Sequence, residues 1–156
     1  MLTWFQAQQA CAHSGKRLPS NAEWQMAATG TPDPGKDNKT SDCIVDSPIS
    51  TTGSRSKCVS SWGVHDMVGN VWEWVADWMQ GTAKKDESLT GSATTATYGR
   101  DGVFGVNPAY PPGARFSSAI VRGGDWDSGP EAGVFAMSAG DGPSSSDGDV
   151  GFRCVR

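Results

Sequence analysis

Long apolar runs are missing from this chain: nothing in its 156 residues approaches the ~18 consecutive residues that a membrane-crossing helix requires. No secretion leader is expected in this stretch, because Met1 runs straight into Leu-Thr-Trp-Phe with no basic n-region or apolar h-region; a piece of a longer chain would read the same way. No compartment is therefore assigned. Basic runs are also lacking and the formal net charge is −4, which removes the electrostatic footprint of a nucleic-acid binder. Histidine is limited to His13 and His65, and the four cysteines form no CxxC and no zinc-ligand spacing. Seven tryptophans against two tyrosines is an unusual aromatic choice, and it returns below.

The length fits one domain, residues 1–156, large enough for a real core. Twenty glycines and nine prolines predict a loop-rich fold rather than a helix bundle. Thr3 with Gln6 reads as a capping box opening a helix that places Trp4, Ala7, Ala10 and Cys11 on one face and stops at Gly15. Ser20 with Glu23 opens a second helix, which buries Trp24, Ala27 and Ala28 and ends at Gly30. Residues 31–62 are polar and without period, a loop so long that it needs a function or a staple. Between Val71 and Trp78 two sets alternate, Trp72, Trp74, Ala76 and Trp78 against Val71, Glu73, Val75 and Asp77, as in a strand with two distinct faces. The alternation with Val places Trp72 and Trp74 in the core rather than in an aromatic cleft. Residues 79–115 read as irregular; strands are expected at Phe116–Val121, near 133–137 and at 150–155. The sum is an α+β fold of two short helices, a small antiparallel sheet and long loops.

Cys11, Cys43, Cys58 and Cys154 allow three pairings. Joining Cys43 to Cys58 would close a fifteen-residue span within the polar loop, worth ~3 kcal/mol in the chain-entropy model. Cys11 would then be left for Cys154, tying the first helix to the last strand. Both bridges require an oxidising compartment or a thermophile's cytosol, and buried free thiols are the alternative.

The C-terminal stretch is the odd one. From Asp125 to Asp149 there are five Asp, five Ser and five Gly, no Asn, and one apolar island, Ala132–Met137. It reads either as surface loops around one strand or as a displayed surface whose side chains are free to change.

Four blocks, GKRLPSNAEWQMAA, DMVGNVWEWVADW, VRGGDW and GFRCVR, resemble in order the signature blocks of the formylglycine-generating-enzyme (sulfatase-modifying-factor) family. The resemblance covers residues 3 to 156 and implies a C-type-lectin-like fold; the family's usual N-terminal strands have no counterpart before Leu2. Its catalytic members oxidise a substrate cysteine with two cysteines that fall here on Ser128 and Gly133, so no copper site is expected. Relatives with a three-histidine iron site are excluded by the presence of only His13 and His65. A catalytic residue is therefore not assigned.

Within that family, the run from Arg122 to Cys154 resembles the variable region, about 121–154, of proteins diversified by retroelements. In such systems template adenines are copied with errors, and Asn codons become codons for Asp, Ser and Gly, the residues enriched here. The resemblance implies a ligand-binding set of Asp125, Asp127, Ser128, Glu131, Ser138, Gly140, Asp141, Gly142, Ser145, Asp147, Gly148 and Asp149, with Trp126 as a fixed aromatic and Val134, Phe135 and the GFRC strand buried beneath. It also implies a bacterial or phage-encoded protein displayed at a surface, with a protein or other surface ligand; the net negative charge between Asp125 and Asp149 leads to the expectation of a polar or basic partner face. The alternative is a non-catalytic accessory or altered-specificity member of the enzyme family. Calcium-binding relatives imply a site from the Asp66 and Glu73 carboxylates and the Gly69 and Val71 carbonyls; alternatively Asp66 and Glu73 only cap and brace the turn at Gly69-Asn70.

Overall fold

The computed structural model describes residues 1–40, 42–80, 96–104 and 117–156. Helix α1 (Trp4–His13) opens on Thr3, whose Oγ1 accepts from Gln6 N at 3.2 Å while Thr3 N donates to Gln6 Oε1 at 2.9 Å. Trp4, Ala7 and Cys11 are buried, but Ala10 is exposed, because a stripe at i, i+3 and i+7 leaves it on the outer edge. Helix α2 (Asn21–Ala27) repeats the device with Ser20 and Glu23. Trp24 and Ala28 are buried and Ala27 is half-buried. Each reciprocal box satisfies two otherwise orphaned N–H groups, and losing such a cap costs about 1 kcal/mol.

Six strands form one sheet: β1 (Trp72–Gln80), β2 (Ala96–Tyr98), β3 (Asp101–Phe104), β4 (Ser117–Arg122), β5 (Met137–Ser138) and β6 (Val150–Phe152), in the order β2-β3-β5-β4-β1-β6. The sheet is mixed rather than antiparallel. β6 runs parallel to β1 and β5 parallel to β3, each reached by the long connection that parallel pairing requires. The β2–β3 hairpin falls in a stretch that reads as irregular, since three- and four-residue strands are too short to show a period. The remainder of that stretch, 81–95 and 105–116, lies outside the described residues, as does Phe116 at the expected start of β4.

β1 does have two faces. Trp74 packs with Trp4, Ala7, Cys11, Leu18, Ala119 and Val121 under α1, whereas Val75 packs with Trp24, Ala28, Met67 and Ile120 under α2. β4 lies between both clusters, which is why Ala119, Ile120 and Val121 are consecutively apolar instead of alternating. An irregularity between Trp74 and Trp78 shifts the β1–β4 register, and Ala76 N donates instead to Pro19 O at 2.8 Å. Trp78 stays on the α1 side, edge-on to Trp4 at 5.0 Å, and is 41% exposed.

Both disulfides form, Cys11–Cys154 and Cys43–Cys58. The second staples the long 31–62 loop around a cluster of Val45, Val68 and Ala132. The first joins α1 to the segment that follows β6, where Arg17 and Val155 exchange two backbone hydrogen bonds.

Candidate binding surface

β4 ends in Arg122, an arginine 3% exposed at the end of an apolar strand, and the residues beyond it are organised by its guanidinium. The group lies 4.5 Å over the Trp24 ring. Nε donates to Ala136 O at 2.9 Å, and Nη2 donates to Val134 O at 2.9 Å and to Gln25 Oε1 at 2.6 Å. Nη1 donates to Asn21 Oδ1. Burial lowers its pKa to about 10, which leaves it charged at neutral pH. From the other side Asp101 of β3, itself buried, accepts from Phe135 N at 2.7 Å. Burial raises the Asp101 pKa, with the bond from Phe135 opposing. The turn at 133–136 is thus clamped by a cation on its carbonyls and a carboxylate on its amide.

That clamp explains two departures from the sequence-based expectation. The apolar island forms a strand only at Met137–Ser138; Gly133–Ala136 is a turn closed by Ala136 N to Gly133 O at 3.1 Å. Phe135 is 41% exposed rather than buried, and Val134 is half-buried, because the turn projects its tip outward. The GFRC segment is likewise half-buried, since β6 is an edge strand. Neither Arg122 nor Asp101 is among the residues that the sequence marks as functional. A charged residue closing the apolar run Ala119–Val121 was the signal for Arg122, whereas Asp101 has none, as its hairpin is too short to read.

The loops on either side of the turn are held by their main chain. Trp126 N donates to Asn70 O at 3.1 Å and Gly129 N to Val45 O at 2.7 Å. Asp141 O accepts from Ala119 N, Pro143 O from Trp4 N and Asp149 O from Trp72 N, at 3.2, 3.1 and 2.8 Å. These five bonds use N–H and C=O groups that are the same whatever side chain the loop carries. Within the first loop Asp125 Oδ1 accepts from Ser128 Oγ at 2.6 Å and from Asp127 N at 3.0 Å, an Asx turn.

Of the expected binding set, Trp126, Asp127, Glu131, Ser145, Asp147 and Gly148 are exposed, and Asp125, Ser128, Gly140, Asp141, Gly142 and Asp149 are half-buried. Ser138 departs from the expected display: it is buried in β5, with its Oγ accepting from Gly140 N. Asp141 is pushed up to about 6 by burial and then by Asp149 and Asp147; Asp149 rises to about 6 through burial, Asp147 and Asp125. Carboxylates from both loops therefore share one field.

The enzyme family's two cysteine positions are also part of this surface. Ser128 is bonded to Asp125, and at Gly133 a Cβ would meet the Asp101 carboxylate at 2.1 Å. A thiol at position 133 has no room while Asp101 holds the turn. His13 is exposed on α1 and His65 is half-buried in the loop before β1, so the two sit on different elements.

The residues implied for calcium do not fit an ion in this arrangement. Glu73 Oε2 accepts from Trp24 Nε1 and Arg153 Nε, both at 2.6 Å, and Oε1 accepts from Arg153 Nη2. A guanidinium thus occupies the carboxylate a cation would need. Asp66 Oδ2 accepts from Gly53 N at 2.6 Å, and among the described residues no three His, Cys, Asp or Glu gather as metal ligands. Asp66 is thus tied to the loop at Gly53, and Glu73 to α2 and to the segment after β6.

The chain is similar to serine/threonine-protein kinase Pkn1 of Chlamydia trachomatis serovar L2, at 30% identity over 99% of this chain and 23% of the kinase. It is similar to the formylglycine-generating enzyme of Streptomyces coelicolor at 28% identity, over 99% of this chain and 51% of the enzyme. It therefore spans at most about half the length of these relatives. Among solved structures, the Major Tropism Determinant P3c variant superposes with a TM-score of 0.66 at 26% identity, over 97% of this chain and 36% of that one. The fold is C-type-lectin-like. A family model described as the sulfatase-modifying factor enzyme 1-like domain matches residues 1–156, and the chain belongs to that family.

Proposed function

We propose that this chain is a non-enzymatic ligand-binding protein, a receptor or display module, whose C-terminal surface is diversified by a retroelement. The observation that carries the proposal is the main-chain tethering of both loops. Five backbone bonds and the Arg122–Asp101 clamp hold residues 125–149 in place, so the exposed side chains are free to change without unfolding the scaffold. Preorganised loops lose little entropy on binding, which is what such a surface needs. The likeness to Major Tropism Determinant variants supports a binding role, and the enrichment of Asp, Ser and Gly with no Asn from 125 to 149 supports mutagenesis at adenines. The matches to kinase and formylglycine-generating enzyme chains favour a second reading, a non-catalytic accessory or altered-specificity domain of the family.

Comparing the gene with its flanking DNA separates the two. The proposal expects a nearby reverse transcriptase gene and a template repeat that differs from codons 121–154 only at template adenines. A gene with no repeat, or with differences spread over all four bases, would leave the second reading standing.

A further inference from the structure

The dipeptide Asp-Gly occurs three times in the chain, at 101–102, 141–142 and 147–148. It is the sequence that least hinders attack of a main-chain nitrogen on the preceding side-chain carboxyl, because glycine has no Cβ to shield that nitrogen. The fold treats the three copies differently. Asp101 is buried with Oδ2 accepting from Phe135 N at 2.7 Å, and Gly102 is paired with Thr97 in the β2–β3 hairpin. Asp141 is half-buried and its carbonyl accepts from Ala119 N at 3.2 Å, while Gly142 is confined by Pro143, which restricts the residue before it. Asp147 and Gly148 are both exposed, and an added Cβ at Gly148 would have nothing within 4 Å. Here the carboxylate is folded back onto the next residue: Gly148 N donates to Asp147 Oδ1 at 2.6 Å. Cγ, one bond from that oxygen, is thereby held beside the nitrogen, the near-attack arrangement that cyclisation needs.

We infer that Asp147 is a self-modification site, at which Gly148 N closes on Cγ to form a succinimide that water reopens to isoaspartate. The N–Cγ bond forms and one carboxyl oxygen leaves as water, taking the amide proton and a second proton from the carboxyl or from solvent. Water then adds to either imide carbonyl. Addition at Cγ restores aspartate. Addition at the main-chain carbonyl breaks its bond to nitrogen, and the chain then runs on through Cβ and Cγ with the former main-chain carbonyl as the free carboxylate. Water is the one co-reactant, and nothing is oxidised or reduced. Isoaspartate lengthens the main chain by one methylene between the bonds that hold Asp141 O to Ala119 N and Asp149 O to Trp72 N, so the second loop is remodelled with no change of sequence. The modification stands on the local geometry, whereas its effect on a partner rests on the display reading.

The test is prolonged warm incubation of the folded full chain in heavy-oxygen water, followed by tryptic mapping. Each passage through the succinimide leaves one heavy oxygen on that residue. Electron-transfer fragmentation, which cuts the isoaspartyl Cα–Cβ bond, locates the product within the 123–153 peptide. The inference expects label and isoaspartate at Asp147 ahead of Asp141 and Asp101 in the folded chain, and label at all three in the urea-unfolded, disulfide-reduced chain. Gly148→Ala, for which there is room, should slow labelling at Asp147 by on the order of ten-fold with the fold intact. Absence of label at Asp147 in the folded chain, label shared equally with Asp141 or Asp101, or a rate unmoved by Gly148→Ala overturns the inference. In the aged sample, new NMR amide resonances confined to the second loop support its remodelling, and shifts spread across the sheet contradict it. None of these readouts involves a partner, so the display reading stands or falls separately, on the gene comparison.

Discussion

Glu73 is 6% exposed between the Trp24 indole and the Arg153 guanidinium, which donate to its carboxylate in the interior. Arg153→Leu leaves it uncompensated and is expected to cost about 3 kcal/mol, towards the low end for a broken buried pair because Arg153 keeps 22% of its side chain exposed. Denaturant unfolding measures this, and the same experiment with EDTA should show no change, since the guanidinium supplies the positive charge. Asp141 works in the opposite direction. Its folded pKa of about 6 lies above the ordinary value of 3.8, so the folded state holds this proton more tightly than the unfolded chain. Its stabilising contribution is complete below about pH 4 and is lost as pH rises through 6. Asp149 shifts in the same direction, so Asp141→Asn should roughly halve the slope of stability between about pH 4 and 6 and stabilise the protein near neutral pH by about 1–2 kcal/mol. Urea midpoints across that range read it directly, and an unchanged slope would count against the burial of this carboxyl. Glu23, held near 2 by Arg17 and Ser20, acts in the opposite sense: its contribution is lost as pH falls from about 4.5 towards 2, at the acid edge of this window and below it.

At the scale of elements, the two disulfides close loops of very different length. The Cys11–Cys154 bridge spans 143 residues and Cys43–Cys58 spans 15, so the paired Ala substitutions are expected to cost about 5 and about 3 kcal/mol, respectively. Chemical denaturation of the two double variants should preserve that order. The elements that were legible in the sequence are those with local signatures. Thr3–Gln6 and Ser20–Glu23 mark both helix starts through side-chain-to-backbone bonds made within four residues. The Trp/Val alternation marks the two faces of β1 because both are buried under different helices. What the sequence concealed is non-local. No local pattern distinguishes a parallel from an antiparallel partner, so the β1–β6 and β3–β5 pairings could not be read. The 133–137 alternation was misleading because a clamped turn with an outward tip gives the same apolar sequence as a short strand. The positions of the candidate site came from the family resemblance, which does not register that Ser138, small and polar, lies buried inside β5.

The whole molecule separates what folds from what is shown. The apolar clusters under α1 and α2, the two bridges and the buried Arg122 and Asp101 make a scaffold in which glycines are sterically required. A Cβ at Gly69 would meet Ile44 O at 1.9 Å, and one at Gly124 would meet Ala132 at 2.6 Å. Display glycines are different: Gly148 has nothing within 4 Å of an added Cβ, and Gly142 has only Ser145 Oγ, at 3.7 Å. The central claim is thus a claim about where substitution is tolerated. The most direct measurement is the folded fraction, by trypsin resistance, of two libraries: one randomised at Asp127, Gly142, Ser145, Asp147 and Gly148, the other at Asp101, Arg122, Gly124 and Gly133. The account predicts that most members of the first library remain folded, each substitution staying within about 0.5 kcal/mol, while nearly all members of the second unfold. Equal loss in both libraries would contradict it, because the loops would then be part of what holds the protein together.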